Sequence, residues 1–220
     1  GKGILYNKNN KIKYEGNFIN GIFQGNGRYN FEDGDYYIGP WLNGKRNGKG
    51  ILYYANGNVK YDGNFINDKY QGNGSRYYLE NGKYYIGQWL NDLKNGRGIL
   101  YYVNGNILYD GDFEKDKFQG NGKYYWEDGR YYIGQWLNGL KHGKGIIYDR
   151  NGNVKYDGNF VKDKFEGRGR YVLDNGNSYI GEWKNGNMHG RGTQYDSNYN
   201  IIVEGIFENN NYIENNKRKS

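Results

Sequence analysis

What constrains this chain most is a short block that returns every 23 or 24 residues: an aromatic residue, any residue, Gly, any residue and a second aromatic. It begins at Tyr14, Tyr37, Tyr61, Tyr85, Tyr109, Tyr132, Tyr156 and Tyr179, with an altered ninth copy at Val203-Glu204-Gly205-Ile206-Phe207. In the full copies a Gly-x-Gly follows, its first glycine nine residues after the block's glycine, as from Gly16 to Gly25 and from Gly87 to Gly96. The single residue by which repeats differ in length falls after the Gly-x-Gly. Self-similarity at so fixed a period marks a repeat architecture.

A second punctuation mark stands just upstream of the next block: Asp33-Gly34, Asn56-Gly57, Asn81-Gly82, Asn104-Gly105, Asp128-Gly129, Asn151-Gly152 and Asn175-Gly176. Such pairs tolerate positive φ and close hairpins, so each repeat reads as strand, turn, strand, turn. Alternation at period two puts Tyr85, Gly87 and Trp89 on one face and Ile86, Gln88 and Leu90 on the other, whereas a helix would scatter the triplet. A bare glycine between two rings leaves room for a ring from an adjacent strand to lie across the backbone. One such unit cannot bury its own face, so neighbours must stack on it. The expected fold is all-β: an elongated, twisted, single-layer antiparallel meander of about 18 strands.

Composition agrees. Ala55 is the sole alanine and hydrophobic residues reach only 35%, too little for a helix-packed core. The 27 Tyr, 9 Phe and 5 Trp supply the missing burial, since each ring can remove ~150–250 Å² from water.

The run Tyr132-Ile133-Gly134-Gln135-Trp136-Leu137-Asn138-Gly139 with His142-Gly143-Lys144-Gly145 closely resembles the MORN (membrane occupation and recognition nexus) repeat. The resemblance covers residues 1 to about 208. It implies a curved antiparallel sheet with a groove, and a role as a scaffold in cytoskeletal, ciliary and membrane-junction complexes. Some grooves in the family bind partner segments, and phosphoinositide binding has also been attributed to it. The expected division is a partial repeat at 1–13, eight repeats over 14–202, a degenerate capping repeat at 203–208 and a frayed polar tail at 209–220. In the last unit Asn198-Tyr199 replaces Asn-Gly, and Val203 replaces the block's tyrosine. Gly1-Lys2-Gly3-Ile4-Leu5-Tyr6 matches Gly48-Lys49-Gly50-Ile51-Leu52-Tyr53, so the chain opens inside a repeat. The expectation is a fragment, with more repeats or an enzyme domain such as a kinase or methyltransferase beside it.

The copies alternate. Phe18, Phe65, Phe113 and Phe160 fill the second aromatic site in one class, Trp41, Trp89, Trp136 and Trp183 in the other. The expected docking face is therefore Tyr37, Trp41, Tyr85, Trp89, Tyr132, Trp136, Tyr179 and Trp183, rigid rings of low side-chain entropy. The middle residue of Gly-x-Gly separates the classes again: Lys2, Lys49, Arg97, Lys144 and Arg191 form a basic column, with Asn26, Asn73, Asn121 and Arg168 in the other class. That column reads either as a solvated row that keeps a long sheet soluble or as cationic contacts for an acidic partner or anionic lipid headgroups.

Zero cysteine excludes disulfides, cysteine nucleophiles and Cys-ligated metals. No stretch approaches the ~20 consecutive apolar residues of a membrane-spanning helix. Asn73-Gly74-Ser75 matches a glycosylation sequon, as chance matches do in so asparagine-rich a chain. His142 and His189 occupy matching repeat positions, which one structural role explains, and no catalytic arrangement gathers around them. Stretches such as Gly25-Asn26-Gly27 lack the helix and Lys-Ser/Thr of a phosphate loop. A net charge of +7 with 24 acids interspersed argues against nucleic acid. No cofactor and no metal site are expected. The expected function is a non-enzymatic interaction scaffold, cytoplasmic and cytoskeleton-associated or at the cytoplasmic face of a membrane, taking a partner protein segment or a second copy of itself. The runners-up are a peripheral module for anionic phospholipids and a regulatory array of a larger enzyme such as a lipid kinase.

Overall fold

The computed structural model describes residues 1–213, which hold strands and turns and no helix. The chain divides into two compact units, Gly1–Asp116 and Lys117–Ser220. The first carries β1 (Lys2–Tyr6), β2 (Ile12–Ile19), β3 (Ile22–Asn30), β4 (Tyr36–Leu42), β5 (Lys45–Arg46), β6 (Gly48–Tyr53), β7 (Val59–Ile66), β8 (Lys69–Tyr78), β9 (Tyr84–Leu90), β10 (Leu93–Tyr101) and β11 (Ile107–Glu114). The second carries β12 (Lys117–Tyr125), β13 (Tyr131–Leu137), β14 (Leu140–Tyr148), β15 (Val154–Val161), β16 (Lys164–Val172), β17 (Ser178–Lys184), β18 (Asn187–Tyr195), β19 (Ile201–Glu208) and β20 (Asn211–Ile213). Within each unit the strands pair antiparallel in chain order, a single-layer meander, with β5 and β6 both pairing with β4. Asn211–Ile213 pairs with β19, which corrects the expectation of a frayed tail from 209 on. The basic end, Lys217-Arg218-Lys219, lies outside the described residues.

Two turn types alternate along each meander. On one edge, two residues with φ near +50° and +70° close a tight hairpin, as at Asn91 (51°) and Asp92 (71°). On the other edge the Asn-Gly pairs close a longer loop. The Gly57 N–H donates to the Tyr54 carbonyl at 2.9 Å and the Tyr54 N–H donates to the Asn58 carbonyl at 2.9 Å, with Gly57 at φ 85°.

The rings share one face, and the glycines explain how. Tyr85 folds back over Gly87 of its own strand and Gly98 of the next, which stand opposite each other; a β-carbon on either would fall inside the ring's envelope. The hydroxyl then donates to the Gln88 carbonyl at 3.0 Å, and the same three-residue reach recurs from Tyr37 to Pro40 (3.1 Å), Tyr132 to Gln135 (2.9 Å) and Tyr179 to Glu182 (3.0 Å). The ring covering the block glycine is thus the tyrosine two residues upstream, not one brought by a neighbouring strand. In the third copy the slot opposite Gly87 holds Ser75 rather than Gly74. Trp41 and Trp183 donate their indole N–H to Gly27 and Gly169 at 3.3 and 3.1 Å, while Trp89, beside the displaced Ser75, has no such acceptor.

The first glycine of Gly-x-Gly serves a bulge. Pairing jumps from Lys94↔Trp89 to Gly98↔Gly87, Gly96 takes φ 89°, and the Gln88 side chain fills the space and accepts the Arg97 N–H at 3.0 Å. Gln135 does the same for Lys144 at 3.0 Å. Pro40 has no such acceptor, and there the partner strand breaks into β5 and β6, one reason the count is twenty rather than about eighteen.

Candidate functional site

The ring face is sealed. Tyr37, Tyr85, Tyr132 and Tyr179 are at most 1% exposed and Trp41, Trp89, Trp136 and Trp183 at most 7%. Each tyrosine meets its tryptophan edge to face, at 5.4 Å for Tyr37–Trp41 and 5.2 Å for Tyr179–Trp183. Burial pushes the hydroxyls of Tyr37, Tyr85 and Tyr132 well above the usual tyrosine range and that of Tyr179 up to about 12. These eight residues are core. This corrects the expectation that their rings form the contact surface: the glycines let the rings lie flat, and lying flat they cover one another.

The rings of this face alternate with half-buried cations. In one class Phe23 stacks on Tyr14 at 3.9 Å and Phe165 on Tyr156 at 3.7 Å. In the other the equivalent position is Arg46, Lys94 or Lys141, each 17% exposed and each paired with the second turn residue 22 positions on: Asp68 at 3.2 Å, Asp116 at 3.1 Å and Asp163 at 3.1 Å. The same carboxylates accept the cations' own backbone N–H groups at 2.9, 3.0 and 2.9 Å. The fourth such position is Met188, whose N–H bonds to Asn210 Oδ1 at 2.8 Å. There the face opens into a cleft of about 340 Å³ lined by Phe165, Tyr171, Leu173, Trp183, Met188 and Gln194.

The opposite face is open and ordered in rows. In the first unit one row runs strand to strand through Ile4, Glu15, Arg28, Ile38, Ile51, Asp62, Arg76, Ile86, Ile99 and Asp110, each directly opposite the next. Two isoleucines, an acid and a base form the repeating unit, four strands long. Ile4 and Ile38 are 46% and 44% exposed. On the loop-edge side lies a tyrosine row, Tyr36 stacked on Tyr53 at 4.7 Å and Tyr84 on Tyr101 at 4.5 Å, with Arg28 over Tyr36 at 4.2 Å. On the tight-turn side Ile19, Leu42, Ile66 and Leu90 stand exposed. The second unit repeats the pattern as Lys123, Ile133, Ile146, Asp157, Arg170 and Ile180, with Tyr131 on Tyr148 at 4.6 Å.

The MORN repeat model matches at residues 14–36, 37–59, 61–78, 85–107, 109–129, 132–154, 156–178 and 179–201, most of the chain. This chain belongs to the MORN repeat family. None of the curated proteins compared matches it. Among solved structures it is similar to the TCP10 domain of Danio rerio CPAP in complex with a peptide of Danio rerio STIL, at 15% identity over 84% of this chain and 96% of that one, with a TM-score of 0.30. It is similar also to a Bacteroides caccae protein at 12% identity over 93% of this chain and 69% of that one, with a TM-score of 0.19. Neither score is high enough to bear on the fold.

On the MORN sheet the basic column falls beside the isoleucine–charge row, on the open face. Lys2, Lys49, Arg97, Lys144 and Arg191 are all exposed, and each sits one residue from a glycine under a ring. Lys2, Lys49 and Lys144 stand opposite Asn17, Asn64 and Asn159, and Arg191 opposite Ile206. Arg97 is engaged by Asp110 at 2.6 Å and Asp112 at 3.9 Å. Sequence reasoning missed both the half-buried cations and the open-face row. The first had a signal, a Lys or Arg two residues before the Gly-x-Gly in alternate repeats with an Asp 22 positions later. The second had one too, the residue after the block tyrosine reading Glu, Ile, Asp, Ile, Asp, Ile in successive copies. Among the described residues no three His, Asp or Glu side chains gather as a metal site.

Proposed function

We propose that this MORN array is a non-enzymatic docking module that binds a protein partner on its open face, and that it serves a cytoskeletal or ciliary scaffold in the cytoplasm. One observation carries the docking reading. The rings that stabilise the sheet are used up in its core, whereas the opposite face presents exposed and half-buried Ile and Leu and half-buried Tyr in straight rows interleaved with charges of both signs. Such a mixture suits protein recognition, with apolar anchors for affinity and charge order for register. The scaffold setting comes from the family resemblance.

The test compares the chain with Ile38→Glu/Ile86→Glu, which alters only open-face positions, as baits in an extract of the native cell. The reading expects specific proteins on the unaltered bait and their loss from the variant. Equal capture by both would overturn it. So would sedimentation with anionic vesicles that disappears in Lys2→Glu/Lys49→Glu/Lys144→Glu when no protein is captured, which is the outcome the phospholipid reading expects.

A further inference from the structure

The order of charges in the open-face row specifies more than a generic docking surface. We infer that the occupant of this face in the first unit is a second copy of the chain, laid face to face about a two-fold axis parallel to the strands and passing between Ile38 and Ile51. The inference rests on the docking reading above and names its partner.

The argument is one of symmetry. A two-fold axis along the strands reverses the order of the row while keeping each row opposite itself. About that axis Ile38 meets Ile51, Ile4 meets Ile86, Arg28 meets Asp62 and Glu15 meets Arg76, and each meeting occurs twice, as a two-fold interface requires. Every acid faces a base and every isoleucine an isoleucine. An axis along the row instead would set Asp62 on Asp62 and Arg76 on Arg76, so the pattern favours one orientation and opposes the other. The flanking rows obey the same operation. Tyr36 and Tyr53 meet their own kind, and Lys49 falls on Pro40 rather than on a second lysine, while Lys2 falls opposite the strand of Gln88. Asp110, engaged by Arg97, lies outside this overlap.

The area suffices. Eight strands at ~4.8 Å by about seven residues at ~3.3 Å give roughly 900 Å² per copy, against ~800 Å² per partner for a standard stable interface. A single sheet with one face sealed by its own rings and the other bearing Ile and Tyr rows that are only half-buried or, as at Ile4 and Ile38, exposed acquires by this pairing the two-sheet packing, ~10 Å apart, usual for β proteins.

The test uses two variants of the full chain, an acidic row, Arg28→Glu/Arg76→Glu, and a basic row, Glu15→Lys/Asp62→Lys. The unaltered chain is expected to show a concentration-dependent shift from monomer to dimer mass in sedimentation equilibrium. Each variant alone places like charges together and is expected to lose at least about ten-fold in self-affinity. Their equimolar mixture restores complementary meetings and is expected to recover the dimer mass. A chain monomeric at every concentration overturns the inference, and so does a mixture that stays as dissociated as its components. A misfolded variant would show in its circular dichroism; a second pair, Arg76→Glu alone and Glu15→Lys alone, then carries the mixing test. A monomeric chain that still captures proteins through Ile38 and Ile86 would leave the docking reading standing without this partner, so the two fail separately.

Discussion

At the level of single residues, glycine in this chain does two different jobs that share one motif. The block glycine and the second glycine of Gly-x-Gly, as at Gly87 and Gly98, have ordinary backbone angles and lie under a tyrosine ring, whereas the first has positive φ and carries the bulge; the third copy departs from this, Gly74 taking φ 70° with open space around it. The sequence already suggested bare backbone beneath aromatics; which ring lies there was not legible, because a side chain folding back along its own strand leaves no mark in spacing. The loop glycines were legible by their exceptions. Tyr199 stands where the other full repeats have Gly and the opening partial repeat has Asn10 (φ 57°); it takes φ 65° and is 71% exposed. A residue with a β-carbon in that region costs ~1–2 kcal/mol, and its weak contacts with Arg170, a 3.5 Å hydrogen bond and a 5.8 Å ring approach, offset little of it. Tyr199→Gly is therefore expected to stabilise the protein by about 1 kcal/mol, read as a higher denaturation midpoint at unchanged slope. A lower midpoint would mean that the Arg170 contact outweighs the backbone cost.

Strands and loop turns were written plainly in alternation and Asn-Gly pairs, but the tight-turn edge was not, since two of its turns begin with lysine: Lys115 at φ 48° and Lys162 at φ 49°. What holds those turns is the seam, in which the aspartate after the lysine reaches back to the previous hairpin. Asp163 accepts both the backbone N–H and the Nζ of Lys141, which is held near Trp126 and Tyr132 at 5.6 and 5.9 Å. Removing one partner of this half-buried pair leaves the other charge unpaired at the edge of the rings, at ~3 kcal/mol if burial were complete and less for groups 17% and 40% exposed. The chain contains its own replacement, Met188 with Asn210. Lys141→Met and Asp163→Asn should each lower stability by about 1–2 kcal/mol, and the double variant should recover most of the loss in a double-mutant cycle. Simple additivity would show that the pair is not coupled. Continuity of the strand partnering β4 is testable at the same seam. Pro40→Gln supplies the acceptor that Gln88 and Gln135 provide in later repeats, so the Lys49 amide is expected to exchange about five- to ten-fold more slowly, the equivalent of ~1 kcal/mol. Unchanged exchange would place the cause of the β5–β6 break elsewhere.

At the scale of the whole chain, the repeat period determined the fold class because a short unit with one apolar face has only its neighbours to cover it. It did not determine which face stays open. Period-two alternation distinguishes two faces without saying which is the core, and aromatic residues suit either a core or a docking surface; only the ring-over-glycine geometry, which lies between strands, decides. The same geometry gives the molecule a collective response to pH. Burial raises the hydroxyls of Tyr14, Tyr37, Tyr61, Tyr70, Tyr85, Tyr132, Tyr156 and Tyr179 above the ordinary value of 10.0, and that of Tyr54 to about 12. For an acid whose folded pKa exceeds its unfolded one, the unfolded chain loses its proton first as pH rises. The stabilisation from these tyrosines is therefore complete below pH 10 and declines above it as the unfolded chain ionises. Because the rings interlock, the loss is expected to be cooperative: the part of the tyrosinate absorbance that the buried rings supply and the near-ultraviolet dichroism of the packed rings should change together, above pH 10, while stability stays flat with respect to these groups from pH 7 to 9. The full tyrosinate amplitude of all 27 rings appearing gradually near pH 10 with the dichroism intact would mean that the ring face is open to solvent, contrary to a core built from it.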